Sequence, residues 1–330
     1  MRSLIAIFAI LFSINSNATE KWPVWPQIQH ANKSLGWVVD KNNIIGNSSR
    51  VQLYGGQDPF PFCAAVAASI LHDQHECMAS GGDCSQQVRT SALSVVDASQ
   101  GTPGKINFDN GGNTILALQK IINNGGAASH DSCNYSSIKE PRKPKGIDFV
   151  RIYGVYSGYR QTRNYGGYLQ RYYRDEFNWE ISTLGINRQG LDSILTQNFN
   201  FTHDLFTSVL LNEECNRVDV LSSKKYVVHN RDNPDQDITL SYTTIVDLLR
   251  HGVPVGINLC LNIDVGLKTC NKHSLVIFAE AKATNTITGD VRRVFRIANT
   301  WSEGWHRDHT DGWVFADQLM LGIYSLFWLE

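Results

Sequence analysis

The chain has 330 residues, of which 30 are basic and 31 acidic, and 42% of the residues are hydrophobic. This near-neutral balance gives no electrostatic reason to expect nucleic acid or an anionic membrane as a partner. The length is enough to bury a substantial core, in one large domain or two modest ones.

The first 18 residues have the organisation of a secretory signal peptide. A basic start (Met1, Arg2) precedes an almost wholly apolar run at 4–14, and small residues at 16–18 permit cleavage after Ala18. The apolar run is short for a transmembrane helix, although an uncleaved anchor is the alternative interpretation. We therefore expect an exported protein, periplasmic or secreted, without a membrane anchor after signal cleavage.

A cysteine stands at the start of an apolar, alanine-rich stretch that predicts a helix from Cys63 to about Cys77. Gln57 lies six residues upstream, and the prolines between them hold the intervening loop extended. The start of a helix favours a thiolate, and the Cys63 backbone N–H together with the Gln57 amide forms a candidate oxyanion site. The stretch thus predicts a nucleophile and its charge-stabilising groups.

Further elements follow in chain order. Helical spacing predicts a helix over 114–122, directly after Asn110-Gly111-Gly112. The last third predicts a short helix at 245–250 and then strands, which are rich in β-branched and aromatic residues: 253–259, 273–279, 294–299 and 312–315. A helical half before an antiparallel half is the α+β pattern.

The order Cys63, His273, Asn299 resembles that of the papain-like cysteine peptidases. Gln57 keeps the family's spacing to the nucleophile, and Gly111-Gly112 is similar to its substrate-binding glycine pair. The segments Lys-His-Ser-Leu-Val at 272–276 and Asn-Thr-Trp-Ser-Glu-Gly-Trp at 299–305 resemble its histidine strand and its asparagine–tryptophan motif. The resemblance covers about residues 50–130 and 240–320.

The resemblance implies a two-lobed α+β fold, with a helical lobe, an antiparallel β-barrel-like lobe and an active site in the cleft between them. The expected segments are a signal peptide at 1–18, an N-terminal segment at 19–50 that is a candidate short pro-segment, a helical lobe at 51–145, a link or insertion at 146–239 and a β lobe at 240–330. The tryptophans of the N-terminal segment (Trp22, Trp25, Trp37) either cover the groove or pack against the main body.

The resemblance also implies roles for these residues. Cys63 would attack a peptide carbonyl as a thiolate paired with a His273 imidazolium, and His273 would protonate the leaving amine of the acyl-enzyme step. Asn299 would orient the imidazole, Trp301 would screen that hydrogen bond from water and Gln57 would donate to the oxyanion. The glycine pair Gly111 and Gly112 would offer backbone to an extended peptide or protein substrate. Four positions depart from the family pattern and bear on substrate preference: Phe60, Ala64, Lys272 and Ser302.

Seven cysteines leave one thiol over from pairing, and we assign that thiol to Cys63. Proximity suggests the disulfides Cys77–Cys84 and Cys260–Cys270, which leaves Cys133 with Cys215. Six cysteines permit about fifteen pairings. The alternative interpretation is that some of these six cysteines are buried thiols.

Three further groups of residues suggest other roles, with weaker support from the sequence. His72, His75 and Cys77 lie close together, but their spacing is irregular and oxidation would consume the thiol, so we expect no metal and no cofactor. The tyrosine- and arginine-rich stretch at 156–180 is interpreted as a structural insertion instead of a nucleic-acid site. His306 and His309 are expected to be exposed loop residues.

The primary hypothesis is an exported, monomeric cysteine endopeptidase. Two alternatives remain open at this point. One is a catalytically silent relative that binds peptides or a partner in the same groove. The other is an amidase or transglutaminase that keeps the Cys-His-Asn chemistry.

Overall fold

The computed structural model describes residues 30–51, 63–81, 83–84, 90–92, 95, 112–123, 226–232, 237–260, 272–301 and 303–330. In these ranges the helices are α1 (Cys63–Ser80), α2 (Thr114–Asn123), α3 (Ile238–Arg250), α4 (Glu303–Asp308) and α5 (Ala316–Met320). The strands are β1 (Trp37–Val39), β2 (Ile45–Gly46), β3 (Val228–Asp232), β4 (Val255–Cys260), β5 (Lys272–Asn285), β6 (Val291–Asn299), β7 (Trp313–Phe315) and β8 (Ile323–Leu329). The predicted α+β class is confirmed.

The eight strands form one antiparallel sheet in the order β3-β8-β4-β5-β6-β7, and β1 and β2 both pair with β5. Among the described strands the sheet is open, whereas a barrel-like sheet was expected. The long strand β5 is central because it pairs with β4 and β6 and, through its extended far half, with β1 and β2.

Both faces of the sheet are buried. On the face packed by α1 and α2, small alanines such as Ala64 and Ala68 let the helix approach Val276 and Phe278 closely. On the face packed by α3 and α5, Leu249 contacts the cluster of Leu275, Ile277 and Phe295. A strand that is buried on both faces consists of a nearly continuous run of apolar residues, which explains the sequence of β5.

Several elements differ from their predicted bounds. Helix α3 begins at Ile238, seven residues earlier than expected, because the Asp237 side chain caps it by accepting a hydrogen bond from the Leu240 N–H at 2.9 Å. Its first turns are rich in threonine, which has a low helix propensity. The sequence pattern therefore did not indicate where the helix begins. Helix α4 occupies part of the expected tryptophan loop, and strands β1, β2, β3 and β8 were not predicted.

Part of the N-terminal segment 19–50 belongs to the sheet. Trp37 pairs with Asn285, and its ring lies edge-on to Phe315 at a centroid distance of 4.8 Å. Trp37 therefore packs against the main body, and Trp22 and Trp25 lie outside the described residues. Removal of 19–50 as a pro-segment would take β1 and β2 out of the sheet.

The structure contains a disulfide between Cys77 at the end of α1 and Cys84, the first pairing suggested by proximity. Cys260 is also disulfide-bonded. The remaining candidates Cys133, Cys215 and Cys270 lie outside the described residues, as do the signal peptide residues 1–18. Within the described ranges, every helix is too short or too polar to cross a bilayer.

Candidate active site

Three elements bring the predicted chain-distant residues together. Cys63 is the first residue of α1, His273 lies near the start of β5 and Asn299 is the last residue of β6. Strand β5 pairs with β6 so that Leu275 lies opposite Asn299, two positions from the histidine. Helix α1 packs against β5 on the face described above, and its first residue, Cys63, lies near the backbone of Ser274 in β5.

His273 and Asn299 form a buried hydrogen bond of 2.8 Å between the ring Nε2 and the carboxamide Oδ1. A carboxamide oxygen can only accept, so Nε2 carries a proton and donates it. In the neutral ring, Nδ1 then holds the lone pair. The bond therefore fixes both the orientation of the imidazole and the nitrogen that is able to take up a proton.

Cys63 is the free cysteine among the described residues, and its thiol is partly buried. The backbone N–H of Ser274, the residue directly after His273, lies close enough to the Cys63 sulfur to lower the pKa of the thiol. The thiol and the imidazole thus belong to one local site. Burial raises the pKa of the Cys63 thiol, and the N–H groups of Ser274, Ala64 and Cys63 itself lower it in part.

Burial also lowers the pKa of His273 from 6.5 to about 4, and the hydrogen bond that His273 donates to Asn299 opposes this shift only in part. Both shifts disfavour the charged forms. Burial therefore favours a thiol and a neutral imidazole in this pair, whereas the resemblance implies a thiolate and an imidazolium; the protonation state at rest stays a prediction. The prediction considered the start of the helix, which favours the thiolate, but not the loss of solvent around both groups.

Trp301 lies beside the His273 ring. Its ring centroid is 5.3 Å from that of His273 and 6.0 Å from that of Trp305. Gln57 and Gly111 fall outside the described residues. Gly112 is exposed and precedes Asn113, which caps α2 by accepting hydrogen bonds from the N–H groups of Ile115 and Leu116.

A buried polar group next to the site was not anticipated from the sequence; we name it the Ser274 cluster (Thr114, Asn258, Ser274, Ser325). The hydroxyls of Ser274 and Thr114 lie 2.8 Å apart, and Asn258 Oδ1 accepts from Ser274 at 2.7 Å and from Thr114 at 3.2 Å. Asn258 pairs across the sheet with Ser274 on one side and Ser325 on the other. The cluster ties the start of α2 to the strand that carries His273.

Tyr324 is a second residue that sequence reasoning missed. The pairing of β4 with β8 shifts between Asn258 and Leu259, so Tyr324 is an extra residue in a β-bulge. Its pKa is raised by burial and by the charge of Cys63, which places the phenol near the thiol. The Lys272 Nζ lies 5.7 Å from the centre of its ring. A bulge depends on the register between two strands, so a single sequence carries no signal for it.

The polar residues along α1 form a separate internal group. Asp73 accepts hydrogen bonds from the N–H of Thr90 at 2.8 Å and from its hydroxyl at 2.6 Å. His72 Nδ1 lies 3.2 Å from Asp73, and the ring of His75 packs edge-on to Tyr226. Within the described ranges, the structure holds no group of three or more side chains arranged to bind a metal ion.

Comparison with known proteins gives fold-level likenesses only. No protein-family model matches the sequence, and no curated protein matches it. Among solved structures, SERA5E from Plasmodium falciparum is 13% identical with a TM-score of 0.42 over 91% of this chain and 94% of that one. The bromelain protease from Ananas comosus, in complex with the E64 inhibitor, is 12% identical with a TM-score of 0.43 over 89% and 98% of the two chains. Xylellain, a cysteine protease from Xylella fastidiosa, is 15% identical with a TM-score of 0.42 over 89% and 90%.

Proposed function

We propose that this protein is a papain-like cysteine peptidase that cleaves peptide bonds through an acyl-enzyme. The observation that carries the proposal is the buried hydrogen bond between His273 and Asn299. It is supported by the free thiol of Cys63, which lies near the backbone of Ser274, the next residue after His273. A buried imidazole held with its Nδ1 as proton acceptor, next to a thiol at the start of a helix, is the arrangement that nucleophilic catalysis requires.

In the proposed first step, the Cys63 sulfur forms a bond to the peptide carbonyl carbon while its proton passes to His273 Nδ1. The carbonyl oxygen becomes an oxyanion, for which the backbone N–H of Cys63 and the Gln57 amide are the proposed donors. The imidazolium then protonates the amine, and the C–N bond breaks to leave a thioester. Water attacks the thioester with His273 as general base, which restores the thiol and releases the carboxylic acid.

The neutral resting pair suits this sequence of events. With a pKa of about 4, His273 is deprotonated at neutral pH and is available as a base before the substrate binds. The imidazolium forms only as the sulfur attacks, and the Asn299 oxygen stabilises it through the Nε2–H. Trp301 packs against the ring and shields that bond from water.

The remaining assignments are proposals of the same kind. Gly111 and Gly112 bind the substrate backbone, the substrate is a peptide or protein, and the protein is exported after cleavage near Ala18. It acts as a monomer without cofactor or metal. A likeness between the sequence of 299–305 and the peptidase motif supports the assignment of Asn299 and Trp301.

The proposal is tested by labelling and by turnover. Wild type and the variants Cys63→Ala and His273→Ala are incubated with an epoxysuccinyl inhibitor and with a peptide library, and Thr243→Ala on the exposed surface of α3 is the matched control. We expect labelling and hydrolysis by wild type and the control, no labelling of Cys63→Ala, and a loss of hydrolysis of roughly a thousandfold or more in both site variants.

Two results would contradict the proposal. Peptide binding without labelling or hydrolysis would leave the non-enzymatic alternative. Products that incorporate an added amine, with little free acid, would identify a transferase instead of a peptidase.

A further inference from the structure

The edge of β6 that faces β7 changes partner close to the site. Strand β7 pairs with β6 only as far as Arg296, which lies opposite Trp313. Beyond that point, the carbonyl of Ile297 and the N–H of Asn299 face the imidazole of His306 from helix α4. His306 is fully buried, whereas the sequence suggested an exposed loop residue.

One nitrogen of His306 meets both backbone groups. Its Nε2 lies 2.9 Å from the Asn299 nitrogen and 3.2 Å from the Ile297 oxygen. A backbone N–H can only donate, so the shorter contact requires an unprotonated Nε2 and a neutral ring with its proton on Nδ1. A residue of a neighbouring strand would offer both an N–H and a C=O to the edge of β6. His306 Nε2 can bond only one of the two backbone groups, the Asn299 N–H or the Ile297 carbonyl, at a time.

The surroundings are shaped to hold this ring. Gly312 has a φ of +82°, and a Cβ there would lie 2.4 Å from the Ile297 oxygen and 3.1 Å from His306 Cδ2. A side chain at this position would therefore collide with the strand and with the ring. On the same helix, Trp305 lies edge-on to His306 at a centroid distance of 5.0 Å and stacks on His309 at 4.2 Å.

Besides the pairing of β6 with β5, Asn299 has few other polar anchors. Its side chain is fully buried, and its Nδ2 has no hydrogen-bond partner among the described residues. Its Oδ1 is engaged by His273. The hydrogen bond from its backbone N–H to His306 is thus a principal constraint on where the carboxamide sits.

We propose that His306 is a positioning residue, which fixes Asn299 through its backbone N–H and thereby fixes the hydrogen bond between Asn299 and His273. The inference rests on the proposed function for its effect on turnover, but its effect on the site geometry does not depend on any activity. Loss of the acceptor leaves a buried N–H unpaired and lets the end of β6 shift away from the imidazole.

The test compares two variants that differ in the acceptor. His306→Gln keeps an oxygen near the position of Nε2, and His306→Leu has a similar size without any acceptor; His309→Gln is the matched control. We expect kcat of His306→Leu to fall roughly ten- to a hundredfold with KM nearly unchanged, and His306→Gln to recover most of it. Equal loss in both variants would show a packing role only and would overturn the proposal.

Two spectroscopic measurements separate this proposal from the proposed function. In isotope-labelled wild type, a through-hydrogen-bond coupling between the Asn299 amide nitrogen and His306 Nε2 is expected, and its absence would overturn the inference even if neither variant folds. The proton signal of His273 Nε2–H should persist in His306→Gln and broaden in His306→Leu. If it does so while no form hydrolyses peptides, the proposed function fails and the positioning role stands.

Discussion

Strand β5 carries two buried polar groups whose chemistry differs. Near its start, the Ser274 cluster consists of neutral hydroxyls and a carboxamide, close to Cys63. Further along, Glu280 is fully buried and accepts hydrogen bonds from Tyr242 at 3.1 Å and from Arg293 at 2.8 Å; we name these three residues the Glu280 cluster. Strand β5 thus carries its buried carboxylate away from the thiol and pairs it with a cation that reaches the surface.

This difference bears on catalysis. A buried carboxylate next to His273 would stabilise the imidazolium and raise its pKa. The neutral Ser274 cluster exerts no such effect. Burial therefore has the largest influence on the protonation states of Cys63 and His273. The comparison therefore predicts that the site rests in its neutral form, and this prediction is open to direct test.

The largest expected effect is on the alkylation of Cys63 by iodoacetamide as a function of pH. The thiolate is the reactive form, and the thiol pKa is raised above its ordinary value of 9.0. We expect the rate at pH 7 to be less than about one hundredth of the alkaline plateau, with a tenfold gain for each pH unit between. A plateau that begins near pH 5 would establish the ion pair and contradict the comparison. Cys63→Ala supplies the background rate.

The second effect concerns stability against acid. The folded-state pKa of His273 lies at about 4, below its ordinary value of 6.5, so the unfolded chain binds more protons between these values. The stabilisation that results from this lowered pKa is complete above pH 6.5. It is lost as the pH falls toward 4, and the free energy of unfolding then decreases by about 3 kcal/mol. His273→Asn should lack this part of the slope in denaturant titrations at pH 7, 5.5 and 4. Equal slopes in both proteins would contradict the assigned shift.

Local patterns in the sequence were enough to locate the parts of the site that lie on single elements. The apolar run after Cys63 and the strand-like runs that hold His273 and Asn299 follow from residue type and spacing, and the structure forms α1, β5 and β6 there. The α+β class follows from the same runs. These features depend on neighbours within a few residues, which a single sequence displays directly.

The missed features depend on partners far away along the chain. Asn258 and Ser325 look like ordinary strand residues until the register of β4 with β8 places them side by side. Tyr324 is the extra residue of a bulge in that same pairing. His306 becomes buried because β7 ends before Asn299, and nothing near position 306 encodes where a neighbouring strand stops.

The third effect concerns the Glu280 cluster. Arg293→Leu removes the cation and leaves a buried carboxylate with Tyr242 as its remaining described donor. We expect a loss of about 2 kcal/mol in the free energy of unfolding, less than for a fully buried pair because Arg293 is half exposed. The double variant with Glu280→Gln should recover part of the loss, since the amide carries no charge. Alkylation of Cys63 should not change in either protein.

The smallest effect concerns the Ser274 cluster and depends on which hydroxyls have partners. Asn258→Ala removes the acceptor shared by Ser274 and Thr114, but the two hydroxyls lie 2.8 Å apart and one can donate to the other once Asn258 is gone, so we expect a loss of only about 1 kcal/mol in the free energy of unfolding. Ser325→Ala is the matched control, because the Ser325 hydroxyl is buried and has no hydrogen-bond partner among the described residues. Its removal should leave stability unchanged or slightly improved. If Ser325→Ala instead proves the more destabilising variant in chemical denaturation, the hydrogen bonds through Asn258 are not what holds this end of the sheet together.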